Sequence, residues 1–201
     1  MTPLISLPAR RMLLIVFATT IVGLIVILTV VRFLEFRPAV DKGLPTSQST
    51  IGLGSPTRLE IPKISVIAAI DSVGLTMEGD LDVPTGYDSV GWYKDGPRPG
   101  ELGSAVIDGH FGRSDGGPAV FDKLSQLQKG DKLSVIDTKG ATTNFVVTGS
   151  RSYDPAEDAT AVFRSNDSKA RLNLITCQGR WDNSQDGYRA RLVVFTEKEN
   201  P

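Results

Sequence analysis

ARLNLITC (residues 170–177) and, after a polar stretch, YRARLVVFT (188–196) decide the fold class. Both are short runs rich in Leu, Ile and Val, too short for core helices and bounded by turn-forming residues. The second alternates, so that an extended chain puts Arg189, Arg191, Val193 and Phe195 on one face. Five further runs read the same way: RLEI (58–61), SVIAAIDSV (65–73), SAVIDG (104–109), KLSVID (132–137) and TNFVVTGSRSY (143–153). Clusters of Gly, Pro, Asp and Asn separate them, which is the pattern of an all-β sandwich or barrel. Helical signals are few. AVFDKLSQL (119–127) spaces Val120, Leu124 and Leu127 at 0, +4 and +7 and predicts a two-turn helix, and PAEDATAVF (155–163) opens with Pro and two acids, as a helix start does.

The chain has 201 residues, 40% of them hydrophobic, with 22 Lys plus Arg against 23 Asp plus Glu. Those values exclude a disordered or collagen-like protein. One Cys cannot form an internal disulfide, and one Cys with one His cannot supply four zinc ligands. There is no D-x-D-x-D-G loop for calcium, and no metal or cofactor is expected.

Met12 to Val31 reads MLLIVFATTIVGLIVILTVV, twenty residues without a charge. As a helix this stretch is about 30 Å long, the thickness of a bilayer core. It exceeds the apolar region of a cleaved signal peptide, and no A-x-A-like site follows it. A retained single-pass anchor is therefore expected over 12–31, after a short cytoplasmic segment, 1–11. Basic residues flank the span almost equally, but a long C-terminal domain translocates largely regardless of its charge, which places the N terminus inside. Residues 32–57, rich in Pro, Gly, Ser and Thr without periodicity, read as a flexible linker. Residues 58–201 are long enough for one domain with its own core. Five basic and two acidic residues precede Arg58, leaving 17 against 21 in the domain, so nucleic acid is not an expected partner.

The only His and the only Cys each stand at the C-terminal end of a predicted strand: His110 closes SAVIDGH and Cys177 closes LNLITC. A strand end holds a side chain rigidly yet near solvent. Thiol and imidazole together have the parts for covalent catalysis, a nucleophile and a proton carrier. Arg189 and Arg191, on an otherwise apolar face, add a candidate donor to a developing oxyanion. The bland alternative is a membrane-tethered binding domain in which His110 and Cys177 lie apart; at this level both remain open.

These motifs resemble the sortases, membrane-anchored cysteine transpeptidases of mostly Gram-positive bacteria. The resemblance covers nearly all of residues 58–197. It rests on SAVIDGH ending in His110, on LNLITC ending in Cys177, with Asn173 where the family's TLxTC has its first Thr, and on RLVVF beginning at Arg191. RLEIPKI (58–64), VGWY (90–93) and GPAVFDKL (117–124) look like class E and class F members.

The resemblance implies a closed β-barrel of about eight strands with one or two short helices. It also implies cleavage of an LPXTG-like sorting signal after Thr, a thioacyl-enzyme on Cys177, and transfer to an amine of a peptidoglycan precursor or a pilin lysine. His110 would carry protons and Arg191, two residues beyond Arg189, would hold substrate and oxyanion. Thr176 would help position the substrate, and Trp181, in the loop before the last strand, would cover it. The S-H-G-C pattern of L,D-transpeptidases is absent, since Ile175 and Thr176 precede Cys177, and ITCQG lacks the caspase Q-A-C-x-G.

Overall fold

In the computed structural model, which describes residues 52–113, 115–165, 167–182 and 187–200, every run read as extended is a strand. In chain order these are β1 (Pro56–Ile61), β2 (Val66–Val73), β3 (Val90–Tyr93), β4 (Gly103–Gly109), β5 (Lys132–Asp137), β6 (Thr142–Tyr153), β7 (Ala170–Asp182) and β8 (Gly187–Lys198). They close into a barrel in the order β1-β2-β3-β4-β7-β8-β6-β5. β2–β3 and β4–β7 are parallel pairs and the others antiparallel. The expected all-β barrel is therefore observed, with β3 as a strand that the periodicity did not reveal: four residues, one of them Gly, are too few to show alternation.

Alternation sorts the side chains. Leu59, Ile61, Ala105, Ile107, Phe145, Val147, Leu172, Leu174, Leu192 and Val194 fill the interior. A second, smaller apolar cluster lies on the outside, where Tyr153, Val162 and Val193 pack with Phe163, Ile175 and Phe195. β6 serves both layers because its register against β8 shifts between Val147 and Gly149. That bulge moves the odd-numbered residues from the inner face to the outer, as one extra residue in a strand must.

The helical expectations need correction. Residues 119–127 form only a 3-10 turn at Leu124–Gln126, with Leu127 already extended. The segment closes i→i+3 bonds, Asp122 N on Ala119 O and Leu124 N on Phe121 O, while Val120 N and Phe121 N, which no helix start would use, tie it to Tyr87 O and His110 O. Leu124 and Leu127 are nevertheless buried, as their spacing predicts. In 155–163 only Thr160–Phe163, here α1, is helical. The start moves because Asp158 Oδ1 accepts from Thr160 N, while Glu157 N closes a separate turn on Asp154 O.

The linker boundary also moves. Pro56 and Thr57 belong to β1, and Gly54 N is held by Asp137 Oδ2 at 2.7 Å. The segment 1–11, the span 12–31 and the linker up to residue 51 lie outside the described residues. Among the described residues no helix is long and apolar enough to cross a membrane.

Candidate active site

β4 and β7 run parallel with Asp108 opposite Ile175, so two residues further on His110 is level with Cys177. Across the next ladder Cys177 is the direct partner of Arg191, and Arg191 in turn of Tyr153. His110, Cys177, Arg191 and Tyr153 therefore form one transverse row on the outer face of four adjacent strands, spaced about 5 Å apart at their Cα atoms. All four line one cavity of about 490 Å³, a volume suited to a peptide segment.

Two walls rise over the row. One is the connection between β2 and β3, folded back on itself by pairing of Leu75 with Leu81 and by a turn in which Gly79, at φ +91°, donates to Thr76 O. It contributes Asp80, Leu81 and Val83 to the cavity. The other is the segment from Asp154 to Phe163, pinned from beneath by Asn173, whose Nδ2 donates to Val162 O at 2.6 Å. The Asn at the family's Thr position is thus a strut that fixes this wall.

His110 is held from the first wall. Its Nε2 lies 2.8 Å from Pro84 O; a carbonyl only accepts, so Nε2 carries the hydrogen and Nδ1 is the nitrogen left for proton exchange. The ring packs at a tilt on Tyr87, centroids 4.9 Å apart. Thr176 is buried on the opposite face from Cys177 and gives its hydroxyl to Gly109 O at 2.7 Å, which fixes the chain just ahead of His110. Arg191 Nη1 donates to Tyr188 O and Ala190 O, and no carboxylate pairs with this guanidinium among the described residues. Arg189 lies elsewhere, exposed and paired with Asp182 at 3.0 Å. The strand pattern alone could not separate the two arginines; the neighbouring strands do.

Burial pushes the Cys177 thiol above its ordinary value, Arg191 pulls it back and Asp108 adds to the rise. The resting thiol is therefore protonated near neutral pH and needs a base to become a nucleophile. Asp108, 7% exposed, is pushed up to about 7, first by burial and further by Asp82, against the pull of its own backbone N–H.

Trp181 is not in a loop. β7 runs on to Asp182 through an irregularity between Gln178 and Trp181, and the half-exposed indole packs edge-on against Tyr188. It lines a separate cavity with Ser152, Gln178 and Arg189. The structure thus brings His110, Thr176, Cys177 and Arg191 to one site and sets Trp181 apart from it.

The geometry has a match. The family model of the sortase domain fits residues 59–199. The chain belongs to the sortase family. Solved sortases share its fold. Sortase C-1 from Actinomyces oris is 28% identical, with 72% of this chain and 74% of that one covered at a TM-score of 0.58. The lid mutant of sortase A from Corynebacterium diphtheriae is 21% identical, covering 74% and 72% at 0.57. A sortase D5 transpeptidase from Clostridium perfringens is 22% identical, covering 73% and 79% at 0.55. Comparison with curated proteins gives no match. Membership in the sortases carries transpeptidase function in general, with protein substrates and amine acceptors.

Tyr153, Asn173 and Asp108 are the site residues that sequence reasoning passed over. Parity is the signal that finds the last two: Asp108 shares a strand face with His110, and Asn173 with Cys177.

Proposed function

We propose that the chain is a membrane-anchored cysteine transpeptidase that cleaves an LPXTG-like sorting signal after Thr and transfers the acyl group from Cys177 to an amine. The observation that supports this most directly is the row itself: the only Cys and the only His level on adjacent strands, with a guanidinium directly opposite the thiol.

In the first half-reaction the Cys177 thiol gives its proton to His110 Nδ1 and the sulfur attacks the scissile carbonyl. Arg191 donates to the oxyanion. The peptide C–N bond breaks, His110 returns the proton to the leaving amine, and a thioester remains. In the second half an amine attacks the thioester, its proton passes to His110, and the C–S bond breaks. Thr176 serves by fixing the strand end that carries His110. Trp181 lies further along β7, at a separate cavity, rather than covering the thiol.

The proposed anchor, residues 12–31 with the N terminus in the cytoplasm, holds the domain outside the membrane near membrane-bound substrates. Those are proteins with a C-terminal LPXTG-like signal, and acceptors such as a peptidoglycan precursor or a pilin lysine. Tethering raises their effective concentration at the site.

The test is to incubate the full-length chain in detergent with LPXTG-like peptides and an amine, and to read products by mass spectrometry. An acyl adduct on Cys177 and an amide product are expected. The absence of any adduct across the panel, with an unreactive thiol, would return the chain to a binding role. The pH profile of kcat/KM should be bell-shaped and lose a limb in His110→Ala; an identical profile would remove His110 from proton transfer.

A further inference from the structure

Asp108 has no part in the steps above, yet it lines the same cavity as His110, Cys177 and Arg191. Its Oδ1 is buried and takes no hydrogen bond. It lies over Gly91, the neighbouring residue on β3, where a Cβ would come within 2.5 Å of that oxygen. Such an orphan acceptor is costly, and a carboxylate in this position more so. Its strand position puts its Cα about 8 Å from that of Cys177, one strand across and two residues back on the same face.

Most of the charges around it are negative. Asp80, Asp154 and Glu157 line the cavity with Asp108, and Arg191 is its one guanidinium among the described residues. Glu157 is taken by Arg151. Asp82 adds a further negative charge near Asp108. Asp71, level with Gly91 on β2, is occupied by Ser89 Oγ at 2.8 Å. A wall of this sign draws in a cation.

We infer that Asp108 is the docking group for the incoming nucleophile in its cationic form, a primary ammonium, which it holds beside the thioester and from which it takes the first proton. This rests on the acyl-transfer reading above. The step balances: the ammonium N–H bond breaks, the proton goes to the Asp108 carboxylate, and the free amine pair attacks the thioester carbon. The second N–H proton passes to His110, the C–S bond breaks, and Cys177 leaves as thiolate, which His110 then reprotonates. Asp108 sheds its proton to solvent. Once protonated, Asp108 no longer carries the charge that raises the Cys177 thiol, which eases departure of the sulfur.

The experiment is a partition measurement on the full-length chain in detergent, with a panel peptide that acylates Cys177. Diglycine, whose amine is a primary ammonium at neutral pH, and hydroxylamine, uncharged there, each compete with water for the thioester. The ratio of captured product to acid cancels both the acylation rate and the fraction of folded enzyme. In Asp108→Asn, and again in Asp108→Ala, the diglycine ratio is expected to fall about tenfold, as for loss of one charge-assisted hydrogen bond, and the hydroxylamine ratio to hold. An unchanged diglycine ratio, or an equal fall for both nucleophiles, overturns the assignment and leaves the transpeptidase reading intact. A wild type that forms no acyl-enzyme overturns both.

Discussion

On the inner face of β4, β7 and β8, Ala105, Ile107, Leu172, Leu174, Leu192 and Val194 are all 5% exposed or less. On the outer face of the same strands stand Ser104, Asp108, His110, Asn173, Cys177 and Arg191. The polar groups differ in kind as well as number. Inside, Thr176 and Thr196 each spend their hydroxyl on a carbonyl of an adjacent strand. Outside, Ser104 Oγ, Asp108 Oδ1 and Asn173 Oδ1 are buried without a partner. Each such group costs about 1–3 kcal/mol. One face of each strand is thus optimised for cohesion, and the other retains unmet bonding capacity, at Asp108 within the cavity that holds the thiol.

Substitutions confined to one face break this contrast most directly. Cys177→Ala is expected to remove all transpeptidation while the thermal midpoint stays at the wild-type value; retained turnover would move the nucleophile elsewhere. Arg191→Ala should lower kcat/KM by about 10²–10³, the loss typical of one oxyanion donor, and Arg191→Lys should recover little, because an ammonium lacks the planar fork. Arg189→Ala, at the exposed pair with Asp182, should cost less than about tenfold. On the inner face Leu172→Ala should cost about 2–5 kcal/mol in urea unfolding, with kcat/KM per folded molecule far less affected than in Arg191→Ala. If it were affected as much, the two faces would not be separable.

The smallest effect is a pH dependence of stability. Folded Asp108 holds its proton up to about 7 against an ordinary 3.8. Its contribution is therefore fully favourable below 3.8, declines as pH rises, and is gone above about 7. Asp108→Asn cannot ionise. Its thermal midpoint relative to wild type should rise across that window and level off above it; a pH-independent difference would mean that Asp108 is ionised throughout.

Much of this was legible because strand periodicity is local. Seven of the eight strands follow from runs of Val, Ile and Leu, and two of those runs lead into the only His and the only Cys, although β7 continues past Cys177 to Asp182. What was not legible depends on partners distant in sequence. VGWY is a strand because β2 and β4 flank it, and 119–127 is tied at its start to Tyr87 O and His110 O and winds on as i→i+3 turns. Arg191 differs from Arg189 only through Cys177 and Tyr153 beside it. Asp108 and Asn173 looked like single polar interruptions of apolar runs, and only the outer layer of α1 and the 74–84 connection turns them into buried groups.

The parallel pairing of β4 with β7 carries a consequence for how the enzyme comes into being. Gly109 and Thr176, joined across that ladder, are 67 residues apart in sequence, with β5 and β6 between them in the chain and outside the β4–β7 ladder in the barrel. Contacts of such separation form slowly, after local hairpins. A chain in which β4 and β7 have not yet paired holds its imidazole and its thiol as unrelated side chains. The row of His110, Cys177 and Arg191 is thus assembled only on completion of the barrel.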